Sequence, residues 1–167
     1  MKEENVLEVD HINKIRSSVK ALIIHDHHVL TIKKGNEEKI KYVIPGGGQE
    51  FNETLSDAVI RECLEELGEQ VKVGPLLWVR EFISKNHVEN QKDEDRIHIV
   101  EHIFEAFIEK VPKHFQPLSP DSTQLEIEWL PIDRLSDYNY YPKEIIPLIK
   151  EMSHSKDSKI TYVGDIN

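Results

Sequence analysis

The sequence predicts a single α/β (α+β) domain in which helices cover a mixed β-sheet. At 167 residues the chain is long enough to bury one hydrophobic core. Strand-like apolar runs stand on both sides of one strongly marked helix, which is typical of a layered α/β architecture. No internal repeat, low-complexity tract or long linker divides the chain, so residues 1–167 are expected to form one domain.

The segments before the helix have the pattern of short strands. Residues 17–32 contain two β-branched runs around a polar turn at 25–28, which predicts a hairpin. A third strand, with the sequence KYVIP, leads directly into Gly46, Gly47 and Gly48. Three consecutive glycines after a strand indicate a turn between this strand and the helix.

The helix has recognisable signals at both ends. Asn52 or Thr54 can cap its start, and Gly68 ends it. Apolar residues recur between them at helical spacing, at Leu55, Val59, Cys63 and Leu67. This periodicity predicts one buried face and one face that is free for polar side chains.

Three further strands and a closing helix follow. The strands are expected at 75–83, 96–109 and 125–130, and the helix at about 143–152. Charged or proline-bearing loops are expected between them at 84–95 and 111–124.

Composition excludes several classes of protein. The net charge of −10 argues against binding to polymeric nucleic acid, which needs clustered Lys and Arg. No window approaches the roughly 18 apolar residues that cross a bilayer, so no membrane association is expected. Cys63 is the single cysteine, and the first residues lack the apolar region of a secretory signal. We therefore expect a cytoplasmic protein.

Three glutamates lie on one face of the predicted helix. Glu62, Glu65 and Glu66 stand at i, i+3 and i+4, within one turn of each other. Their mutual repulsion is relieved when a cation sits between them, and clustered carboxylates suit Mg²⁺ or Mn²⁺. Taken alone, such a run is more often a solvated helix face, so its surroundings decide the interpretation.

Residues 47–69 resemble the Nudix box, G-x5-E-x7-R-E-U-x-E-E-x-G-U, where U is a bulky apolar residue. The fixed positions are matched by Gly47, Glu53, Arg61, Glu62, Glu65, Glu66 and Gly68. Cys63 fills the first U, whereas Glu69 departs from the pattern at the last U. Seven matches in register identify the chain as a member of the Nudix (MutT-like) hydrolase family.

The resemblance implies a Nudix-type α/β/α sandwich and hydrolysis of a nucleoside diphosphate linked to another moiety. It implies Mg²⁺ as cofactor, with Mn²⁺ as a substitute. Glu62 and Glu66 are then expected as direct ligands, Glu65 as a ligand directly or through water, and the carbonyl of Gly46 or Gly47 as a further ligand. Arg61 and Glu53 are expected to form an ion pair that orients the ligands.

The catalytic set expected from the resemblance is Glu62, Glu65, Glu66, Arg61 and Glu53. Glu62 is the preferred general base. Acids outside the box remain alternatives for this role, namely Glu101, Glu105, Asp121 and Glu126.

Substrate contacts are expected from cations that border the loops. The main candidates are Arg80, Lys41 and Arg96, with Lys39 and Lys85 beside them. Aromatic residues that offer a face to a base are Trp78, Phe82, Trp129 and Tyr140, although aromatic residues in strands usually belong to the core. Cys63 is expected to be a core residue, because the motif pairs no base with it.

Several functions remain open on the sequence alone. The expected partner is a small-molecule nucleotide, and a nucleoside triphosphate, ADP-ribose and a nucleotide sugar all satisfy the box. A catalytically silent nucleotide-sensing module and a calcium-binding structural domain are the alternatives. The first would be expected to lose its glutamates, and the second lacks its calcium loop. The chain is expected to be a monomer or a homodimer.

Overall fold

The computed structural model describes residues 14–36, 38–89, 96–155 and 161–167. Within these ranges the chain forms eight strands and three α-helices. The strands are β1 (Ile15–Leu22), β2 (Ile24–His25), β3 (His28–Gly35), β4 (Ile40–Val43), β5 (Lys72–Ile83), β6 (His98–Phe107), β7 (Gln124–Pro131) and β8 (Thr161–Asp165). The helices are α1 (Leu55–Leu67), α2 (Ser84–His87) and α3 (Ile146–His154), and 3-10 turns cover Ile132–Asp137 and Lys143–Ile145. None of the helices in the described ranges is both long and apolar enough to cross a membrane.

The strands form two four-stranded sheets. The first sheet has the order β1-β6-β5-β8, with β1 parallel to β6, β6 antiparallel to β5, and β5 parallel to β8. The second sheet is antiparallel and has β3 paired with β2, β4 and β7. The first sheet is therefore mixed.

Two hydrophobic cores place helices on opposite sides of the mixed sheet. The first core joins α1, through Ala58 and Cys63, to Val19 on one face of β1. The second core joins α3, through Ile149, to Leu22 on the other face of β1. Successive side chains of a strand point to opposite faces, so β1 contributes to both cores. The predicted α/β sandwich with a mixed central sheet is confirmed.

The predicted hairpin is present, but its first strand is divided between the sheets. The turn lies at Asp26 and His27, whose φ angles of 44° and 62° are those of a tight hairpin turn. Only the last two residues before the turn pair with β3, whereas β1 pairs with β6. Residues 21–23 are all buried because the chain crosses there from one sheet to the other.

Three features differ from the sequence prediction. The closing helix starts as a 3-10 turn at Lys143–Ile145 and becomes α-helical only at Ile146–His154. Pro147 lies in the first turn of the α-helix, where its missing N–H costs no hydrogen bond. Helix α2 lies within the loop expected at 84–95, of which residues 90–95 lie outside the described ranges. Strand β8 was not predicted, because its short polar sequence TYVGD gains its extended form from pairing with β5.

Candidate active site

Helix α1 has the predicted ends, which fix the register of its glutamates. The Thr54 hydroxyl accepts the Asp57 backbone N–H at 3.1 Å at the start. Gly68 adopts a left-handed conformation (φ 75°) at the end, where its N–H donates to the Leu64 carbonyl. Because Ala58 and Cys63 face the core, the glutamates lie on the side of the helix that meets the glycine segment.

The glycine segment runs along β1 and touches the helix. The Gly47 carbonyl accepts the Val19 N–H at 2.9 Å, and the Gln49 N–H donates to the Ser17 carbonyl at 3.0 Å. A Cβ atom on Gly47 would lie 2.6 Å from both carboxylate oxygens of Glu62. Only glycine leaves room for this carboxylate, which explains its fixed place in the motif.

Glu66 is the most buried carboxylate of the helix, with 4% of its surface exposed. Its Oε2 accepts the Gly46 backbone N–H at 2.8 Å. Its Oε1 accepts a hydrogen bond from the Lys34 ammonium group at 2.8 Å. Lys34 also contacts Asp121 at 3.3 Å, so the buried charge is compensated by a small network.

Arg61 joins the loop before the helix to the glutamates. Its Nε and Nη2 donate to the two carboxylate oxygens of Glu53 at 2.8 and 3.1 Å, which is a bidentate ion pair. Nη2 also donates to the Gly48 carbonyl, and Nη1 donates to Glu62 Oε1, both at 2.8 Å. The hydrogen bond from Arg61 lowers the pKa of Glu53. The predicted ion pair is present and holds the loop against the helix.

Glu62 and Glu65 differ in their surroundings. Burial raises the pKa of Glu62; the Arg61 hydrogen bond opposes this shift, and the nearby Glu66 and Glu65 charges add to it. Glu65 is more exposed and lies 3.5 Å from Arg61 Nη1. The three carboxylates thus share one side of the helix, as their spacing predicts, and each has a different environment.

The donor set of this region suits a hard divalent cation by its chemistry, because it consists of carboxylate and carbonyl oxygens. In the part of the chain that the structure describes, no three Asp, Glu, His or Cys side chains converge in a geometry that would hold a metal ion. Glu62 and Glu66 are instead directed to Arg61 and Lys34. The Gly46 and Gly47 carbonyls accept from Lys20 and from the Val19 N–H. The predicted ligands, including Gly47, therefore stay a prediction.

A cavity of about 410 Å³ lies beside this region. Lys34, which donates to Glu66, also lines the cavity, and so does Asp121, which accepts from Lys34. These two residues connect the cavity to the glutamates of α1. The other polar lining residues are Lys20, Lys41, Arg80, Glu101 and Thr123. The wall is otherwise apolar, formed by Val43, Ile44, Phe82, Ile99, Ile103, Tyr141, Pro142 and Ile145. A cavity of this size with an apolar wall and a few charged groups suits a small organic anion.

An ion pair between two buried residues forms one side of the cavity. Arg80 and Glu101 are 5% and 6% exposed, and Arg80 Nε donates to Glu101 Oε2 at 2.5 Å. Arg80 Nη1 donates to the Ile166 carbonyl at 3.0 Å, just beyond β8. The guanidinium group also lies 5.5 Å from the centre of the Tyr141 ring. The charge of Arg80 is thus paired within the protein, and two of its N–H groups have a hydrogen-bond acceptor.

The predicted substrate residues separate into two groups. Arg80 and Lys41 line the cavity, whereas Arg96 lines a smaller pocket with Ile83 and His98. Phe82 faces the main cavity, and strand alternation puts Ile83 on the opposite face of the sheet. The structure therefore does not bring Arg96 to the cavity.

Among the charged and aromatic residues that line the cavity, the sequence reasoning missed three: Lys20, Lys34 and Tyr141. A signal existed for Lys20, whose charge stands between the apolar residues Val19 and Ala21 of a predicted strand. Such a residue faces either solvent or a polar cavity on one side of the sheet. Lys34 and Tyr141 carry no comparable sequence signal.

The remaining candidates are placed as follows. Glu101 and Asp121 line the cavity. Glu126 on β7 is paired with Lys33 on β3, and neither Glu126 nor Glu105 lines the cavity. Among the aromatic candidates, Phe82 lines the cavity, Trp78 and Tyr140 are core residues, and Trp129 lines a separate pocket. Cys63 is fully buried, and burial raises the pKa of its thiol to about 12, as expected of a core residue rather than a nucleophile.

Comparison with known proteins gives a family and one curated relative. Residues 14–151 match the NUDIX domain. Over 63 residues the chain is 43% identical to the ADP-ribose pyrophosphatase of Methanocaldococcus jannaschii. That match spans 37% of this chain and 37% of the relative, so it covers well under two thirds of either protein.

Solved structures show the same fold. The Nudix hydrolase from Nitrosomonas europaea superposes with a TM-score of 0.65 at 19% identity, over 87% of this chain and 92% of that one. An ADP-ribose pyrophosphatase from Streptococcus suis superposes with a TM-score of 0.64 at 17% identity, over 89% of this chain and 99% of that one. At these identities the likeness concerns the fold alone.

Proposed function

The chain belongs to the Nudix family of hydrolases, which act on diphosphate bonds, and from this premise we propose that it is a Mg²⁺-dependent pyrophosphohydrolase. Its proposed substrate is a nucleoside diphosphate linked to another moiety, cut to a nucleoside monophosphate and the remaining phosphate-bearing product. We propose Mn²⁺ as a substitute for Mg²⁺.

One observation carries this proposal. The Glu62 carboxylate packs against Gly47, and the Glu66 carboxylate is bound to the Gly46 N–H beside a cavity that contains cations. Carboxylate oxygens next to a cavity lined by cationic side chains suit an anionic substrate that binds together with a divalent metal ion. A solvated helix face would not require a buried Glu66 or a glycine at position 47.

Each group of the site has a proposed task. A bound Mg²⁺ would neutralise charge on the phosphate oxygens and favour ionisation of a water molecule. Its proposed ligands are Glu62, Glu65, Glu66 and the Gly47 carbonyl. Arg61 and Glu53 hold the loop and the helix together, so that the carboxylates keep their places when a substrate enters.

The proposed general base is Glu62. Arg61 donates to its Oε1 only, so the carboxylate keeps further lone pairs for a metal ion and for a proton from the attacking water. Burial raises the pKa of this carboxyl, the neighbouring Glu66 and Glu65 charges add to the shift, and the Arg61 hydrogen bond opposes it. A carboxylate with a raised pKa is a stronger proton acceptor. Phosphoryl transfer depends mostly on positioning and charge, so the base is expected to contribute less than the metal ligands.

The decisive experiment compares Glu66→Gln with Glu69→Gln. Glu69 lies just past the end of α1, so its variant is the matched control for the loss of one acidic charge. Hydrolysis is measured with Mg²⁺ and with Mn²⁺ on nucleoside triphosphates, ADP-ribose and nucleotide sugars, with products identified by mass. Glu66→Gln is expected to lower kcat by about 10²-fold or more, which is a typical cost of losing a group that stabilises the transition state.

Metal binding provides a readout that is independent of turnover. Calorimetric titration with Mg²⁺ should show weaker binding in Glu66→Gln and unchanged binding in Glu69→Gln. Equal turnover in wild type and Glu66→Gln would refute the assignment of the site. A chain that binds nucleotides and hydrolyses none of them would instead be the nucleotide-sensing module.

A further inference from the structure

The cavity beside α1 contains more positive charge than the protein itself balances. Of its four cations, Arg80 is paired with Glu101, and Lys34 is paired with Glu66 and Asp121. Lys20 and Lys41 have no carboxylate partner among the residues that the structure describes. Lys20 donates to the neutral Gly46 carbonyl at 2.7 Å, and Lys41 lies 5.1 Å from the centre of the Tyr141 ring.

Both lysines line the cavity and have contacts that hold them there, although Lys41 as a whole remains exposed. Lys20 is half-buried on the face of β1 that carries the cavity, and its side chain is fixed by the carbonyl bond. Tyr141 holds Lys41 by a cation–π contact and is itself placed by Arg80. The ammonium groups therefore have restricted positions, which lowers the entropy cost of binding an anion there.

The surroundings of Lys41 favour an anion. Burial lowers the pKa of Lys41, and the positive charges of Lys34, Lys20 and Arg80 lower it further, while Asp121 opposes the shift. These cations repel one another, and a bound anion would relieve that repulsion. The cluster therefore has the character of a polyanion site.

Its location gives the anion a place in the reaction. Lys34 contacts Glu66 and also lines the cavity. A diphosphate bound at the glutamates would therefore have a neighbouring group within reach of the cavity. In ADP-ribose and nucleotide sugars, the group beyond the diphosphate is a neutral sugar. In a nucleoside triphosphate, it is a further phosphate.

We propose that this cavity recognises an anionic group beyond the scissile diphosphate, which makes nucleoside triphosphates the preferred substrate class over ADP-ribose and nucleotide sugars. This inference rests on the proposed function, because it assigns a substrate class to the same site. It runs against the names of two of the similar proteins, which are ADP-ribose pyrophosphatases. The physical reason is that a neutral sugar would remove water from Lys20 and Lys41 without giving either a charged partner.

The test compares substrates that release the same product, AMP, from ATP and from ADP-ribose. Wild type is expected to show a kcat/KM for ATP at least about tenfold above that for ADP-ribose, since a charged partner is lost with the sugar. Lys41→Met should lower kcat/KM for ATP by about tenfold and leave that for ADP-ribose within about twofold. Lys41→Arg should retain most of the preference, because it keeps the charge.

Lys72→Met is the matched control. Lys72 is an exposed lysine at the start of β5 that does not line the cavity, and its loss changes the net charge by the same amount. It should leave both values unchanged, which separates a local contact from long-range attraction of a polyanion.

Binding without turnover distinguishes failure of this inference from failure of the proposed function. Wild type should bind α,β-methylene ATP at least about tenfold more tightly than α,β-methylene ADP, and Lys41→Met should reduce that ratio. If ADP-ribose is the better substrate, or if Lys41→Met affects both substrates equally, this inference is wrong and the enzyme assignment stands. If no substrate is cut but the Lys41-dependent binding ratio is found, the anion site stands and the proposed function is wrong. If neither turnover nor the ratio is found, both are wrong.

Discussion

The acidic region around α1 and the cationic cavity beside it are built in different ways. The glutamates, the glycines and Arg61 all lie within residues 46–68 of the chain. The cavity takes its charged residues from β1, β3, β4, β5, β6 and the loop before β7. A helix fixes the spacing of residues that are near in sequence, whereas only the complete fold brings the lysines together. The residues proposed for the chemistry are thus placed by local structure, and the residues proposed for selectivity are placed by tertiary structure.

The largest expected effect tests whether the Arg80–Glu101 ion pair in the cavity wall is shielded from solvent. Glu101→Gln removes the carboxylate partner of Arg80 and leaves that buried cation without compensation. We expect the free energy of unfolding to fall on the order of 3 kcal/mol, as for other broken buried ion pairs. Urea denaturation at pH 7 measures it.

The matched control for this prediction removes both charges. Arg80→Met combined with Glu101→Leu should recover most of the lost stability, because an apolar pair of similar volume has no desolvation cost. A loss below about 1 kcal/mol in Glu101→Gln would mean that water in the cavity solvates the pair as it does at a surface, and the contrast with the acidic region would weaken.

The second prediction concerns the acidic region, where close packing rather than charge is tested. Gly47→Ala places a Cβ atom 2.6 Å from the Glu62 carboxylate oxygens and forces that side chain to move. We expect kcat to fall by about 10²-fold, because small displacements of catalytic groups have effects of this size. Steady-state kinetics with the best substrate measures the change, and circular dichroism checks the fold.

Gly48→Ala is the control, since a Cβ atom there meets only the end of the Arg16 side chain at 3.7 Å. Its activity should remain within about threefold of wild type, as for ordinary surface substitutions. If both variants lose activity equally, the glycine segment needs flexibility, and the packing of Gly47 on Glu62 is not the cause.

The contrast between features set by local structure and features set by the complete fold also explains which parts of the molecule the sequence predicted. Helix α1, its Thr54 and Gly68 ends, and the Arg61–Glu53 ion pair follow from local spacing and are present in the structure. Strand β8 could not be predicted, because β5 rather than its own residues determines its extended form. Arg96 was grouped with Arg80 by its place beside the same loop, yet the pleat of the sheet separates them.

The smallest expected effect lies at β8, the element farthest from the glutamates in the sequence. Asp165 accepts hydrogen bonds from the Ile83 N–H, Asn86 and His87, at 2.7 to 2.8 Å. The next residue, Ile166, gives its carbonyl to Arg80, so these bonds anchor the strand that holds the cavity wall. Burial acts to raise the pKa of Asp165, but the hydrogen bonds from Asn86, Ile83 and His87 outweigh it and leave the pKa below its usual value.

The pKa of Asp165 is lower in the folded protein than in the unfolded chain, where it is about 4. The ionised side chain therefore stabilises the fold at pH values above about 4, and this contribution is lost as the pH falls through the folded pKa. Asp165→Asn should therefore cost about 1 kcal/mol at pH 7, and the difference from wild type should shrink below about pH 4. Urea denaturation at several pH values measures it, with the exposed Asp133→Asn as control. A difference that stays constant with pH would mean that the shape of the side chain, rather than its charge, anchors β8.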